Sequence, residues 1–294
     1  MTTDRESASP ALCRLQLGSE LRQLRLAAGL KGAQVVKKLL WSPSKLTRLE
    51  TGENTTVEPT DVMALCEIYG ADPERRTVLL SYAKVTKTNR DWWLTAEYRS
   101  VLKPGLKAFL DLEATAEKAL WCETAFVPGL LQTEPYIRAI HKRSDMEFTD
   151  EEISRVVTIR MTRQRLLVRE EAPLRYIAVI DEAVLRRAVG TREVMREQLT
   201  HIAETVESRP NVRVQVMPFH AGATLSMNGT FGIFHFPERL GLKSLVYMEN
   251  LADRWVKRDE ADVKRFDNAI AELQAQAIGP DESLRMIKEA SKEH

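Results

Sequence analysis

The chain of 294 residues has very few cysteines and no long hydrophobic segment. Its cysteines, Cys13, Cys66 and Cys122, lie far apart and form no CxxC pair, which argues against a disulfide framework and a zinc ribbon. No stretch approaches the roughly 18 apolar residues of a membrane span, and acidic residues interrupt the N-terminus. We therefore expect a cytoplasmic protein with no membrane segment, no metal site and no cofactor.

Net charge is also scarce, at +1 for the whole chain, but it is unevenly distributed. Residues 11–50 contain eight basic and two acidic side chains, whereas residues 51–83 contain six acidic and two basic ones. A positive surface confined to one part of a domain is what contact with DNA phosphates requires. The charge pattern alone favours a simpler interpretation, a solvated helical face.

Hydrophobic spacing predicts two helices near the N-terminus. The first covers residues 17–28 and ends at Gly29, because glycine is favoured just past a helix end. The second covers about residues 32–40, with Lys37 and Lys38 outward. Its inward-facing residues are expected to be Val35, Val36, Leu39 and Leu40.

A third helix is marked by signals at both of its ends. Ser42 is a suitable cap, and Pro43 suits the first helical position because the amide hydrogen it lacks would have no partner there. Leu46 and Leu49 provide a buried side, and Gly52 ends the helix.

Two more helices are expected over residues 59–69 and 72–83, so residues 15–83 form a five-helix domain. The phrases LRQLRLAAGL, GAQVVKKLLW and SPSKLTRLETG within it resemble the repressor-type helix-turn-helix of the xenobiotic-response-element class. A small helical bundle that uses the same fold for protein contacts is the alternative.

The resemblance implies that the third helix enters the major groove of double-stranded DNA. The base-reading candidates are then its solvent-facing residues Ser44, Lys45, Thr47 and Arg48. Lysine and arginine suit guanine edges, whereas the two hydroxyl side chains could contact bases or phosphate.

The resemblance also implies roles for the neighbouring helices. Phosphate contacts are assigned to Lys31, Gln34 and Lys38. Arg25 and Glu50 occupy positions that form a structural pair in similar repressors. Phage-type members often carry glutamine at the start of the second helix, where this chain has Gly32, so one of their phosphate contacts is in doubt here.

The remainder of the chain predicts a linker and a larger α/β domain. Residues 84–104 lack a helical stripe, and their paired Trp92 and Trp93 are typical of an interdomain contact. Helices are expected over residues 106–120, 155–169, 191–208 and 259–276. The phrases LRYIAVID, VRVQVMP, GTFGIFHF and KSLVYMEN predict strands, the first two joined through a helix as a βαβ unit.

The predicted fold is thus multidomain α and α/β. A flexible N-terminus (1–14) precedes the repressor-like helix-turn-helix domain (15–83) and the linker (84–104). The α/β domain (105–280), a small mixed sheet flanked by helices, has a regulatory or partner-binding role, and a C-terminal tail (281–294) follows.

The second half of the chain carries a further resemblance. FVPGLLQTEPYIRAI, RMTRQRLL, VIDEAVLRRAVG, MREQLTHIAE, VRVQVMPFHAGA and LVYMEN resemble the C-terminal domain of actinobacterial WhiJ-type developmental regulators. The resemblance implies a DNA-binding regulator encoded beside a small partner protein, in some descriptions with an antitoxin-like relation.

A candidate effector pocket is built from polar residues that follow the predicted strands. Its members are Gln132, Asp181, Glu182, Arg187 and His220. Side chains at such positions commonly bind ligands in α/β sheets, here a small anion or a peptide carboxylate. Asp181 is, however, favoured as the cap of the following helix. Catalysis by Asp181 and Glu182 is a weak third interpretation. The sequence contains no hydrolase, nucleotide-binding or metalloprotease motif, so we do not expect an enzyme.

Two further features have alternative interpretations. In PGLLQT (128–133), Leu130 and Leu131 look buried, and Thr133 is favoured as the cap of a helix that begins at Glu134. Four arginines at spacings of two to four residues fit an acidic partner or a solvated helix face equally well: Arg160, Arg163, Arg165 and Arg169.

Together these observations predict a sequence-specific DNA-binding transcriptional regulator that binds as a homodimer. The C-terminal domain would sense an effector or bind a small partner protein. The alternative is an antitoxin-like interaction protein that sequesters a small partner and autoregulates its own operon.

Overall fold

The computed structural model describes residues 10–52, 54, 56–87, 98, 101–102, 104–142, 148–240, 242–249 and 254–294. The chain divides into two compact units. The first comprises the described parts of Met1–Trp92, Pro104–Thr115 and Phe236–Lys243, and the second those of Trp93–Lys103, Ala116–His235 and Ser244–His294. The predicted contact of Trp92 and Trp93 lies outside the described residues. No helix in these ranges is long and apolar enough to cross a membrane.

The first unit is helical and contains the five helices predicted for residues 15–83, together with a sixth helix that was predicted in the larger domain. Its helices are α1 (Pro10–Ala27), α2 (Gly32–Leu39), α3 (Pro43–Thr51), α4 (Pro59–Tyr69), α5 (Pro73–Val85) and α6 (Pro104–Thr115). Helix α1 is central and packs against α3, α4, α5 and α6. Its buried Leu17 and Leu21 share the core with Leu49, Leu65 and Leu79.

The predicted ends of α3 are confirmed. The Ser42 hydroxyl accepts the backbone N–H of Lys45 at 3.3 Å, and Pro43 occupies the first turn. Gly52 adopts the left-handed conformation (φ 76°) that closes the helix. The turn between α2 and α3 is therefore fixed by local hydrogen bonds.

Two features at the helix ends of this unit differ from the prediction. Helix α1 begins at Pro10, so residues 10–14 are helical rather than part of a flexible N-terminus, and Cys13 within them is fully buried. Leu40 was expected to face inward but is 92% exposed, with φ 55°. The reason is that α2 ends at Leu39, and the left-handed residue that follows departs from the helical periodicity.

Gly18 permits a close contact between α1 and α3 in the first unit. A Cβ atom at this position would lie 2.5 Å from the carbonyl oxygen of Leu49 and 2.7 Å from that of Glu50. Only a residue without a side chain lets α1 approach the end of α3 so closely. The position of α3 against α1 depends on this glycine.

The second unit contains a six-stranded mixed sheet. Its strands are β1 (Lys118–Glu123), β2 (Arg175–Asp181), β3 (Val212–Met217), β4 (Phe231–His235), β5 (Leu245–Glu249) and β6 (Arg254–Lys257). The order is β3-β2-β1-β4-β5-β6. Strands β1, β2 and β3 are parallel, and β4, β5 and β6 continue the sheet in antiparallel pairs.

Helices flank this sheet as predicted. They are α7 (Glu134–Lys142), α8 (Asp150–Gln164), α9 (Glu182–Arg186), α10 (Arg192–Ser208), α11 (Glu260–Gln276) and α12 (Pro280–Glu293). The βαβ unit of β2, α10 and β3 is confirmed by the parallel pairing of Ile177 with Arg213. Val263, Ile270 and Leu273 of α11 pack on a sheet face that includes Leu120 and Ile233.

Strand β1 corrects the helix predicted over residues 106–120. The helix α6 stops at Thr115, and residues 118–123 form an inner strand of the sheet. The residues from Ala119 to Cys122 are all buried, so apolar and polar side chains do not alternate along this strand. A short apolar run of this kind does not distinguish a strand from a helix. Gly232 on β4 accommodates the strand, because a Cβ there would lie 2.7 Å from the Trp121 ring.

The C-terminal segment also differs from the prediction. Residues 281–294, expected to be a tail, belong mainly to α12, which packs on α10 and β3. Ile287 and Ala290 are fully buried, and the Ser283 hydroxyl accepts the Val216 N–H at 2.9 Å. High charge hid the amphipathic pattern of this helix.

Candidate functional site

The exposed face of α3 contains the four predicted base-reading residues. Ser44, Thr47 and Arg48 are exposed and Lys45 is partly buried, opposite the buried Leu46. The Thr47 hydroxyl donates to the carbonyl oxygen of Pro43 at 3.0 Å, which leaves its lone pairs accessible. The structure thus brings these side chains to one surface.

Lys45 differs from its neighbours because its ammonium group already has partners. It lies 2.9 Å from the Asp61 carboxylate of α4 and 3.9 Å from the centroid of the Trp41 ring. Cation–π and ionic contacts of this kind hold a lysine in one rotamer. Contact with a base edge would require Lys45 to leave Asp61, whereas Arg48 faces solvent.

The predicted phosphate contacts lie on and next to α2. Lys31, Gln34 and Lys38 are exposed. The side-chain carbonyl of Gln34 accepts the Lys31 backbone N–H at 2.7 Å, so its amide nitrogen is the group that remains to donate to a phosphate. Gly32 begins the helix, with Leu46 3.6 Å from the position of a Cβ.

Arg25 and Glu50 form the predicted structural pair. The Arg25 Nε and Nη2 atoms donate to the two carboxylate oxygens of Glu50 at 2.6 and 2.7 Å, and Nη1 donates to the carbonyl of Leu30 at 3.0 Å. The two side chains are only 12% and 9% exposed. The hydrogen bond to Glu50 raises the pKa of Arg25. The pair therefore fastens α1 to the end of α3.

In the second unit, three of the predicted effector residues, Asp181, Glu182 and His220, lie at or just beyond the carboxyl ends of β2 and β3, whereas Arg187 follows α9 and is exposed. Asp181 caps α9 by accepting the Ala183 N–H at 2.8 Å, as favoured from the sequence. Glu182 accepts the backbone N–H of Phe219 at 3.0 Å and lies 3.2 Å from Arg186. His220 belongs to the same loop as Phe219 and is exposed. Glu182 thus connects α9 to the His220 loop.

Gln132 lies inside a buried hydrogen-bond network. Its amide nitrogen donates to the Val127 carbonyl at 2.6 Å, and its side-chain oxygen accepts from the Arg160 guanidinium. The Gln164 side chain donates to the Gln132 backbone carbonyl at 2.5 Å. Within this geometry Gln132 supports its loop instead of facing open solvent.

The predicted cap at Thr133 is wrong. Its hydroxyl is buried and has no hydrogen-bond partner among the described residues. Its backbone N–H donates to the side-chain oxygen of Gln198 at 2.7 Å, while the Gln198 amide donates to the Leu131 carbonyl at 2.6 Å. Tertiary contact with α10 therefore positions this segment. Leu130 and Leu131 are buried, as expected.

Three of the four predicted arginines have a structural role that neither interpretation included. Arg160 contacts Gln132, and Arg169 donates to the Ala116 carbonyl at 2.9 Å. The Arg163 guanidinium lies 3.1 Å from where a Cβ of Gly129 would be. Arg165 is exposed. These long side chains hold the loops around the sheet.

Glu123, at the end of β1, is a candidate that sequence analysis missed. It accepts a hydrogen bond from the Thr230 hydroxyl at 3.1 Å. Loss of hydration raises the pKa of Glu123 to about 8, although the Thr230 hydrogen bond and nearby Arg160 oppose the rise. A carboxylate directly after the apolar run from Ala119 to Cys122 was the available signal.

The comparisons with known proteins identify two matched regions of the chain. A family model described as a helix-turn-helix domain matches residues 16–79, and one described as a domain of unknown function (DUF5753) matches residues 106–289. The first match supports a DNA-binding regulator. No curated protein and no solved structure matches the chain.

Proposed function

Because the chain belongs to the family of the domain of unknown function DUF5753 and carries a helix-turn-helix domain, we propose that it is a sequence-specific transcriptional regulator. This proposal is based on the exposed face of α3 and on three exposed residues beside it, Gln34 and Lys38 of α2 and Lys31 at its N-cap. Arg48 would read guanine, and Ser44 and Thr47 would contact bases or phosphate. Lys45 would contact a base after it leaves Asp61.

The regulator would bind double-stranded DNA as a homodimer on adjacent half-sites. A single helix-turn-helix buries limited area and discriminates weakly among sequences, which favours two copies. Equilibrium sedimentation with and without operator DNA measures this stoichiometry, and a single chain per site at saturation would contradict it.

We further propose that the second unit binds an effector or a small partner protein and thereby changes DNA affinity. Its buried polar network around Gln132, Arg160 and Glu123 supports this role, because such groups can exchange partners on ligand binding. The kinship with WhiJ-type regulators and the antitoxin-like relation are part of this proposal.

We also propose that the second unit is not catalytic. Asp181 and Glu182 are engaged in a cap and a loop contact. Among the described residues, a serine, a histidine and an aspartate lie close together near the amino end of β1: His235 Nδ1 is 3.0 Å from the Ser244 hydroxyl and Nε2 is 3.3 Å from Asp267. We interpret it as a structural link from β4 to α11. Labelling of Ser244 by a fluorophosphonate, lost in Asp267→Asn, would contradict this interpretation.

The test of the main proposal begins with selection of bound duplexes from a random DNA pool by the full chain. Arg48→Ala should weaken binding to the selected sequence by about 1–3 kcal/mol, with little effect on unrelated DNA. Lys38→Ala should weaken binding to both and flatten the salt dependence.

Lys264→Ala, which removes an exposed cation from α11, is the charge-matched control and should change neither affinity. Equal losses from Arg48→Ala on every sequence would remove the base-reading role of α3. Failure of the pool to yield any enriched sequence would contradict sequence-specific regulation.

A further inference from the structure

A polar groove on the outer face of α10 lies apart from both sites described above. It has a volume of about 460 Å³. Its walls include Glu193, Glu197, His201 and Glu204, which recur three to four residues apart along α10 and so share one helix face. Thr133, from the segment before α7, also lines the groove.

The charge of the groove is predominantly negative. Glu193, Glu197 and Glu204 contribute three carboxylates, whereas Arg196 is the single permanent cation among the lining residues. Burial lowers the pKa of His201, which keeps its ring neutral at pH 7. None of the three carboxylates forms an ion pair with another described residue, although other exposed glutamates of this unit do so.

Thr133 provides an independent observation that points to a ligand. Its side chain is only 8% exposed, and its hydroxyl has no hydrogen-bond partner within the described part of the chain. A buried hydroxyl normally has a partner, because an unsatisfied polar group is costly. The backbone contact of Thr133 with Gln198 fixes its position beside the groove, so a ligand there could supply the missing partner.

We propose that this α10 groove binds the ammonium or guanidinium group of a cationic ligand. The cation would lie between the glutamate side chains and donate a hydrogen bond to the Thr133 hydroxyl. Arg196, at the same groove, would favour a ligand that also carries an acceptor. The inference rests on the proposed function, since it assigns a chemical class to the effector or partner of the second unit.

Two probes distinguish the sources of such a group. Agmatine represents a small diffusible amine, and a short acetylated peptide with two arginines represents a side chain of a partner protein. Calorimetric titration of the full chain, without DNA, should detect binding of at least one probe. Binding of agmatine indicates a small effector, and binding of the peptide alone indicates a protein partner.

Variants on the same helix test the location. The double variant Glu197→Gln and Glu204→Gln should weaken binding about tenfold, since each removes one ionic contact of ordinary strength. Thr133→Val preserves the shape of the side chain and should weaken binding about threefold by removing the acceptor. Glu207→Gln, which removes a carboxylate of α10 paired with Lys288 outside the groove, should have no effect.

The result that overturns the proposal is binding of neither probe at millimolar concentration, or an equal loss in Glu207→Gln and in the double variant. Circular dichroism of each variant verifies that the fold is retained. DNA affinity measured separately distinguishes the two proposals. A chain that binds a probe in the groove but selects no DNA sequence would sustain this inference and contradict the proposed regulator.

Discussion

The two units differ in whether their polar side chains are exposed or paired inside the fold. The first places Ser44, Thr47 and Arg48 on an exposed surface and uses one nearly buried ion pair, Arg25 with Glu50, as its fastening. The second encloses Gln132 and Gln198 within a network around the sheet edge. A DNA-binding surface needs donors left open to solvent, whereas a sheet edge that holds long loops needs its donors and acceptors paired.

The cysteines allow this comparison to be tested within one molecule. Cys13 and Cys66 are buried in the first unit, and Cys122 is buried in the second. Pulsed thiol labelling in urea, read by mass spectrometry at each cysteine, therefore reports the unfolding of each unit separately.

The largest expected effect is a pH dependence confined to the second unit. The folded state raises the pKa of Glu123 from 4.5 to about 8, so between these values the folded chain holds a proton that the unfolded chain has released. The contribution of Glu123 to the free energy of unfolding is therefore greatest below pH 4.5 and falls as the pH rises to about 8. The loss should be on the order of 4 kcal/mol.

Glu123→Gln should abolish this loss at Cys122 and leave the labelling of Cys13 unchanged. Glu272→Gln, on the exposed face of α11, is the control and should behave as the unmodified chain. A pH dependence of Cys122 labelling that persists in Glu123→Gln would show that another group causes it.

Gly18→Ala should produce the next largest effect, and in the first unit. Its methyl group would overlap the carbonyl oxygens of Leu49 and Glu50 and push α3 away from α1. We expect the free energy of unfolding reported by Cys13 and Cys66 to fall by about 3 kcal/mol, and DNA binding to weaken.

Gly32→Ala is the matched control, because its methyl group would meet only Leu46 at 3.6 Å. It should leave labelling nearly unchanged. If Gly18→Ala were equally harmless, α1 and α3 would not be held at the observed separation.

Gln198→Leu should have a smaller effect, confined to the second unit. It leaves the Thr133 N–H and the Leu131 carbonyl without their partner in a buried segment. The expected loss at Cys122 is about 2 kcal/mol. Gln276→Leu, at the exposed end of α11, is the control and should lower the free energy of unfolding far less. Equal losses in the two variants would contradict a stabilising role for the Gln198 bridge.

The smallest effect is a gain in stability of the first unit. Leu40 adopts a left-handed conformation that favours glycine and is almost fully exposed. Leu40→Gly should therefore stabilise the first unit by about 1 kcal/mol, measured at Cys66. Leu26→Gly, which places glycine inside α1 at another exposed leucine, should instead destabilise it.

The helix-turn-helix was predictable because its signals are local. Ser42, Pro43 and Gly52 define α3 within ten residues, and the exposed face follows from helical periodicity. The α/β domain was predictable to the level of its βαβ unit for the same reason. β1 was missed because an inner strand buried on both faces has no period to read.

Sequence by itself determined most of the element types, the caps of α3 and α9 and the residues that α3 exposes, because these depend on neighbours within one or two turns. Tertiary structure alone decided the contact of Lys45 with Asp61, the position of Glu123 beside Thr230, the bridge from Gln198 to Thr133 and the place of Thr133 at the α10 groove. Each of these joins residues far apart in the chain, and no local pattern encodes which distant group a polar side chain will meet.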